Sequence, residues 1–213
     1  MLRPVLRFMV RASCLIAIVL AASFLPAQAE FSAEIVDLQK PGSPTTGKIY
    51  FARNKMRIES LSSGPRAGGV VIVNFATQMS TVLMTQRNMY MERSIQSQGQ
   101  SQMYSFFEAG DVQNACGDWE KIEHAQAGSC HKIGSDTVNG RSTVEYEGTR
   151  SGGEVNRFWL DPKLRFPVKW QGKNSGGELR NIQEGSQAAS LFEVPAGYTK
   201  LDIGAMMQQR QPQ

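Results

Sequence analysis

The sequence predicts a mainly β domain of the α+β class, built as one large, curved antiparallel sheet or an incomplete barrel. Short segments rich in β-branched and aromatic residues recur along the chain, and short turns containing Gly, Asn or Pro separate them. Helical periodicity is scarce by comparison. A series of about eleven strands joined by short polar turns is typical of such a sheet.

The first half of the chain contributes six of the predicted strands. They span residues 31–38, 48–52, 55–60, 70–75, 79–85 and 89–93. The second and third form a hairpin about Arg53-Asn54, and Gln86-Arg87-Asn88 supplies turn residues before the sixth.

The second half contributes five more predicted strands. They span residues 131–136, 141–148, 154–160, 164–171 and 178–184. Asn139-Gly140 is a strong hairpin signal, and Asp161-Pro162-Lys163 is a candidate type I turn. Pro167 cannot donate a ladder hydrogen bond, so it predicts that its strand is an edge or contains a bulge.

The segment between the halves contains the best helix candidate. Residues 95–102 are rich in Gln, Ser and Gly and predict a linker. Met103, Tyr104, Phe106 and Phe107 then follow at helical spacings. Two interpretations stay open: a helix that covers one end of the sheet, or a lid whose soft Met and aromatic face touches an apolar ligand.

The N-terminus predicts a cleaved signal peptide. Arg3, Arg7 and Arg11 precede the apolar run 12–25, and Ala27-Gln28-Ala29 is a small-residue cleavage site. Attachment of a lipid to Cys14 is a weaker alternative, because Arg11 stands where that signal needs a Leu-like residue. We therefore expect a signal peptide over 1–29, one domain over 30–203 and a flexible tail over 204–213.

The charge of the exported chain argues against nucleic acid as a partner. Residues 1–29 hold three of the 23 Lys and Arg residues and none of the 19 Asp and Glu residues, so the remaining 184 residues carry +1. A net charge near zero provides no excess of Lys and Arg side chains to release counterions from nucleic-acid phosphates. A chain of this length also buries enough surface to fold without a metal or a cofactor, so we predict none, and no further segment could span a membrane.

The two cysteines of the exported chain predict a disulfide. Cys116 and Cys130 form an even pair in a chain bound for an oxidising compartment. A metal site would add His124 and His131 to these two sulfurs. Structural zinc sites bring their ligands in close pairs, whereas Cys130 and His131 are adjacent and the other gaps are wider, so the spacing favours the disulfide.

No motif predicts catalysis. The sequence lacks a nucleophile elbow, a zinc-protease helix, a phosphate-binding loop and a dinucleotide fingerprint, and it contains two histidines. Glu145 and Glu147 share one face of a predicted strand, where alternating polar residues on a solvated face explain them. We therefore expect a protein that is not an enzyme.

Five short motifs resemble a known family. They are GKIY at 47–50, KMRIE at 55–59, YME at 90–92, WLDPKL at 159–164 and LFEVPAGY at 191–198. In this order they resemble an uncharacterised family of exported bacterial proteins that is similar to the outer-membrane lipoprotein carriers LolA and LolB. The resemblance implies a half-open barrel whose concave apolar face, covered by short helices, holds acyl chains. It also implies the periplasm of a Gram-negative bacterium.

The resemblance assigns candidate site residues. In the carriers, the arginine that matches Arg57 holds the cavity shut by hydrogen bonds to the covering helices. Strand alternation alone places Arg57 opposite Met56 and Ile58, where it is an ordinary solvated residue if those two face the cavity. Arg57 and the lid candidates Met103, Phe106 and Phe107 are thus the predicted ligand-contacting residues.

Two function classes follow. The first is a periplasmic binding protein or carrier for a lipid or an acylated cargo. The second is an envelope interaction protein, a sensor or assembly factor that uses the same fold as a protein-binding surface.

Overall fold

The computed structural model describes residues 29–61, 69–95, 111–123, 128–150 and 152–201. These residues form one curved, unclosed sheet of twelve strands, and the predicted mainly β fold class is confirmed. The strands are β1 (Phe31–Asp37), β2 (Thr45–Ala52), β3 (Lys55–Ser60), β4 (Gly69–Asn74), β5 (Met79–Met84), β6 (Met89–Ser94), β7 (Cys130–Val138), β8 (Arg141–Thr149), β9 (Val155–Asp161), β10 (Phe166–Gln171), β11 (Gly176–Glu184) and β12 (Thr199–Lys200). One described α-helix, α1 (Cys116–Glu123), precedes β7.

Two antiparallel meanders make up the sheet. Its strand order is β12-β6-β5-β4-β3-β2-β1-β11-β10-β9-β8-β7, so β1 and β11 join the two meanders in the middle. The two-residue strand β12 pairs in parallel with β6 at one edge. All eleven predicted strands are present, and β12 is the additional one.

Several strand ends differ from the prediction for identifiable reasons. β2 begins at Thr45 because Thr45 and Gly47 already pair with Val36 and Ile35 of β1. β10 begins at Phe166 because the turn before it extends to Arg165, which has a φ of 52°.

Two special backbone positions match the predicted turn and bulge. Asn139 and Gly140 have φ angles of 48° and 78°, as the tight hairpin between β7 and β8 requires. β10 lies between β9 and β11, and its pairing with β9 shifts register between Pro167 and Lys169. The bulge alternative for Pro167 is therefore the one that the structure shows, and the edge-strand alternative is wrong.

The main core cluster joins both meanders. Phe31, Phe51 and Phe166 lie at its centre, with ring centroids 5.1 to 5.8 Å apart. Leu179 of β11 and Met56 of β3 belong to the same buried cluster. Because these side chains come from both sides of the β1–β11 junction, the two meanders share one core.

A second core cluster holds α1 against β8 and β9. Trp119 stacks on Phe158, and Phe158 stacks on Tyr146, with 5.3 Å between centroids in each pair. The Tyr146 hydroxyl donates to the Val112 carbonyl oxygen at 2.8 Å. Burial raises the pKa of Tyr146 because the phenolate form would lose its hydration there. The Trp119 indole lies so close to β8 that only glycine fits at position 148.

Candidate functional site: an apolar face and a C-terminal strap

One face of β2–β6 is lined mostly by apolar side chains. We call it the apolar face; the strand pairings place on it Gly47, Ile49, Phe51, Met56, Ile58, Ser60, Gly69, Val71, Val73, Ser80, Val82, Met84, Met89, Met91 and Arg93. Ten of these fifteen residues carry large apolar side chains, and Arg93 is the one charged residue among them.

A row of apolar residues crosses this face in register. Ile58 pairs with Val71, Val71 with Val82, and Val82 with Met91. The inner end of the row continues to Ile49, which is 2% exposed. The four residues from Ile58 to Met91 are only half-buried. The row therefore leads from the packed core to a partly exposed apolar surface about 14 Å long, given three strand spacings.

Arg57 lies on the opposite face from this row. Its register partners are Tyr50 and Ile72, whereas Met56 and Ile58 point to the core side. It is nevertheless not solvated, because its side chain is 14% exposed. Nη1 donates to the Leu191 carbonyl oxygen at 2.9 Å, and Nε donates to Glu59 Oε1 at 2.7 Å. Of the two alternatives for Arg57, the ordinary solvated residue is therefore not what the structure shows.

Leu191 belongs to a segment that crosses the outer side of β3–β6. We call residues 189–201 the C-terminal strap; it begins with a 3-10 helix, Ala189–Phe192, and ends in β12. Phe192 is 7% exposed and packs in a cluster with Ile72 and Leu83. Lys200 makes an ion pair with Glu92, and the Leu201 amide donates to the Tyr90 carbonyl oxygen at 2.7 Å.

The strap brings three of the quoted motifs into contact. KMRIE supplies Arg57 and Glu59, YME supplies Tyr90 and Glu92, and LFEVPAGY supplies the part of the strap that they hold. These motifs therefore build one structural unit on the face opposite the apolar row. Its contacts stabilise the sheet that presents the apolar face.

The fourth motif, WLDPKL, forms the turn between β9 and β10. Asp161 Oδ1 accepts hydrogen bonds from the amides of Lys163 and Leu164, and Arg141 Nε binds its other oxygen. Arg141 Nη2 also donates to Glu184 at 2.9 Å, and Lys163 Nζ lies 2.6 Å from the same carboxylate. These two cations lower the pKa of Glu184. The network is a structural tie between β8, β9 and β11.

The predicted lid residues lie outside the described part of the chain. Met103, Phe106 and Phe107 therefore remain sequence predictions as ligand contacts. The described chain resumes at Asp111, shortly before α1.

The predicted disulfide is present. The sulfur atoms of Cys116, at the start of α1, and Cys130, at the start of β7, are 2.07 Å apart. The bond occupies both sulfurs that the metal alternative would need. Within the described ranges no group of three or more His, Cys, Asp or Glu residues is placed to hold a metal ion, and His124 lies outside those ranges.

The carboxylates of β8 form ion pairs with β9. Arg157 Nε donates to Glu147 at 2.8 Å, and Arg157 Nη1 lies 3.6 Å from Glu145. On the neighbouring strand, the pKa of Asp136 is lowered by its hydrogen bonds with the Thr137 amide and the Trp159 indole. Each of these carboxylates accepts a hydrogen bond from, or forms an ion pair with, another strand, which is a structural arrangement.

The apolar row is not among the residues predicted from the sequence, although a signal for it exists. Apolar residues alternate as Met56/Ile58, Val71/Val73, Val82/Met84 and Met89/Met91 in four successive strands. Their alternation predicts one apolar side per strand. Only the register shows that these sides meet in one continuous row.

None of the helices in the described ranges is both long and apolar enough to cross a membrane.

Comparison with solved structures supports the fold. An uncharacterised conserved protein from Thermus thermophilus matches with a TM-score of 0.52 and 8% identity, over 82% of this chain and 90% of that one. Two weaker matches are the Pseudomonas aeruginosa MucA/MucB complex (TM-score 0.47, 15% identity, 80% of this chain and 57% of that one) and a LolA superfamily protein from Nitrosomonas europaea (TM-score 0.33, 10% identity, 78% and 90%). The Thermus match shows a shared fold alone, and the weaker two support no further argument. No family model and no curated protein matches the sequence.

Proposed function

We propose that this protein is a non-enzymatic binding protein or carrier of the cell envelope. Its ligand is hydrophobic, a lipid or an acylated cargo, and lies against the apolar face of β3–β6. The observation that carries this proposal is the row Ile58, Val71, Val82 and Met91, four half-buried apolar side chains in register on four strands. The motif resemblance to the lipoprotein carriers supports the same function.

The hydrophobic effect provides the driving force for this proposal. Covering a half-buried Val, Ile or Met side chain completely is worth about 1 kcal/mol, and each ligand CH₂ removed from water contributes about 0.8 kcal/mol. Met91 and its neighbour Met84 add side chains that adapt their shape to an apolar ligand. Such a surface selects ligands by their apolar area and length.

Titration with a fluorescent fatty-acid analogue tests the proposal. We expect the delipidated protein to bind about one ligand per chain, and small polar metabolites not to compete. Met91→Gln keeps a side chain of similar length but makes it polar, so it should weaken binding about fivefold. Met79→Gln is the matched control, because Met79 is a half-buried methionine of β5 that pairs with Asn74 and Ser94 on the opposite face.

Two outcomes would contradict the proposal. One is a delipidated protein that is folded yet does not bind the analogue. The other is equal binding by the wild type and Met91→Gln, which would place any ligand elsewhere. The first outcome would favour the envelope interaction protein, in which the sheet presents a protein-binding surface.

A further inference from the structure

The end of the strap runs extended along β6. The Thr199 amide donates to the Asn88 carbonyl oxygen at 2.8 Å, and the Leu201 amide donates to the Tyr90 carbonyl oxygen at 2.7 Å. Evenly spaced bonds of this kind are typical of a parallel ladder. The pairing of β12 with β6 therefore continues to Leu201.

Leu201 lies on the same side of the sheet as the apolar row. Lys200 pairs in register with Tyr90 and makes its ion pair with Glu92, and Tyr90 packs in the cluster that the strap covers. Successive residues of an extended segment point to opposite faces, so Leu201 points away from the strap side. In the register of β12 it lies beside Met91. Leu201 therefore extends the row onto a fifth strand, to a length of about 19 Å over four strand spacings.

A ligand that follows this longer row contacts two separate elements. Leu201 is half-buried, as are the four side chains from Ile58 to Met91. An apolar chain that reaches Leu201 removes further surface from water, and it then touches both β6 and the end of the strap. Such a ligand binds more tightly when β12 is docked on β6 than when β12 has left it. Because linked equilibria are reciprocal, the ligand stabilises the docked β12 by the same factor.

The attachment of β12 is suited to this coupling. The strand has two residues, and both are exposed. Its ion pair joins the Lys200 and Glu92 side chains, which are 56% and 35% exposed, and exposed ion pairs contribute little to stability. Short edge elements with few buried contacts open more readily than core strands, so a ligand contact shifts their equilibrium measurably.

We propose that Leu201 contacts the bound ligand, and that a ligand on the apolar face holds β12 against β6. This inference rests on the proposed function and names the regulation of its site. Ligand binding favours the docked end of the strap, and the docked end favours the ligand.

Binding of palmitate to the delipidated protein tests the contact. Leu201→Gln makes the side chain polar and should weaken palmitate binding about fivefold. Leu201→Met keeps an apolar side chain of similar volume and should bind palmitate within about twofold of the wild type. Leu61→Gln is the matched control, because Leu61 is 53% exposed and follows the end of β3.

Amide exchange tests the coupling on the same proteins. Saturating palmitate should slow the exchange of residues 199–201 in the wild type about fivefold, which is the factor that reciprocity requires. In Leu201→Gln, palmitate at saturation should leave this exchange within about twofold of the ligand-free rate. Thermal unfolding of each variant shows whether it is folded.

The outcomes separate this inference from the proposed function. If palmitate binds but Leu201→Gln binds it as well as Leu61→Gln does, or if Leu201→Met loses as much affinity as Leu201→Gln, Leu201 is not the ligand contact and the proposed function stands. If palmitate binds and the exchange of residues 199–201 does not change in the wild type, the coupling is wrong. If a folded, delipidated wild type binds no palmitate, the proposed function itself fails.

Discussion

The Arg57 side chain connects the sheet to the C-terminal strap. One nitrogen donates to the Leu191 carbonyl oxygen and another to Glu59, and the side chain is 14% exposed. Because the Arg57 side chain is mostly buried, water competes weakly for these two hydrogen bonds. The fork of the guanidinium serves two acceptors at fixed angles, which the single ammonium of lysine does not reproduce.

Arg57→Lys should therefore loosen the strap without disrupting the sheet. We expect the free energy of unfolding to fall by about 1–2 kcal/mol, since one charge-assisted hydrogen bond is lost. Amide exchange over residues 189–201 should become faster, as measured by mass spectrometry. Arg53→Lys is the control, because Arg53 is 92% exposed and lies 3.8 Å from Glu30. Unchanged exchange in the strap would show that Arg57 does not hold it.

The same pair of variants tests the role that the family resemblance implies for Arg57. If the strap contact stabilises the ligand-binding sheet, ligand should leave Arg57→Lys faster than Arg53→Lys. Equal off-rates from the two variants, both shown to be folded, would limit Arg57 to the strap.

Glu184 should make stability depend on acid pH. Lys163 and Arg141 hold its folded pKa below the ordinary value of 4.5. The unfolded chain therefore takes up the proton first, so the contribution of Glu184 is complete above pH 4.5 and is lost as the pH falls through its folded pKa. Urea unfolding between pH 7 and pH 3 should show a smaller loss of stability for Glu184→Gln than for the wild type. Parallel curves would contradict this linkage.

Among the secondary-structure elements, α1 is held to the sheet by a disulfide bond and by an aromatic ring that packs on β8. The disulfide ties its first residue to the start of β7, and the Trp119 ring lies on β8 at Gly148. A Cβ at position 148 would stand 2.4 Å from Trp119 Cε2, well inside van der Waals contact. The absent side chain of Gly148 is thus what allows the helix to approach.

Gly148→Ala should push α1 away from β8. We expect a loss of about 1–3 kcal/mol of stability, as for other overpacked sites, and a change in the near-UV circular dichroism of the tryptophans. Gly134→Ala on the adjacent strand is the control, because a Cβ there meets nothing within 4 Å. Equal stability of the two variants would show that α1 does not pack as described.

The strands could be predicted from the sequence because each carries its own alternation and its own turn residues. Asn139-Gly140 and Pro167 specify a hairpin and a bulge through local backbone restrictions. β12 could not be predicted, because its two residues have no pattern and form a strand only by pairing with β6.

The candidate site was less predictable than the strands, because it depends on pairing between residues that are far apart in the sequence. Strand alternation shows that Arg57 and Met56 lie on opposite faces of β3. The face that the strap covers is set by the contact between Arg57 and Leu191, 134 residues away in the sequence. The row that ends at Met91 likewise exists only through the register of four strands. Long-range pairing of this kind leaves no local signature.

At the scale of the whole molecule, the two faces of the first meander have different roles. The strap and its ion pairs cover one face of β3–β6, and the apolar row with Arg93 lies on the other. The second meander completes the core around Phe31 and Phe166, and α1 packs in the separate cluster on β8 and β9. The molecule is thus a braced sheet that presents an apolar surface, and the proposed function requires this surface to hold a ligand.

Native mass spectrometry of the purified protein shows whether the apolar surface holds a ligand. We predict a species heavier than the chain by the mass of one amphiphile, which is lost on extraction with organic solvent and regained when palmitate is added to the folded protein. A folded protein that appears only at its sequence mass, takes up no amphiphile and copurifies with a second protein would contradict the proposed function.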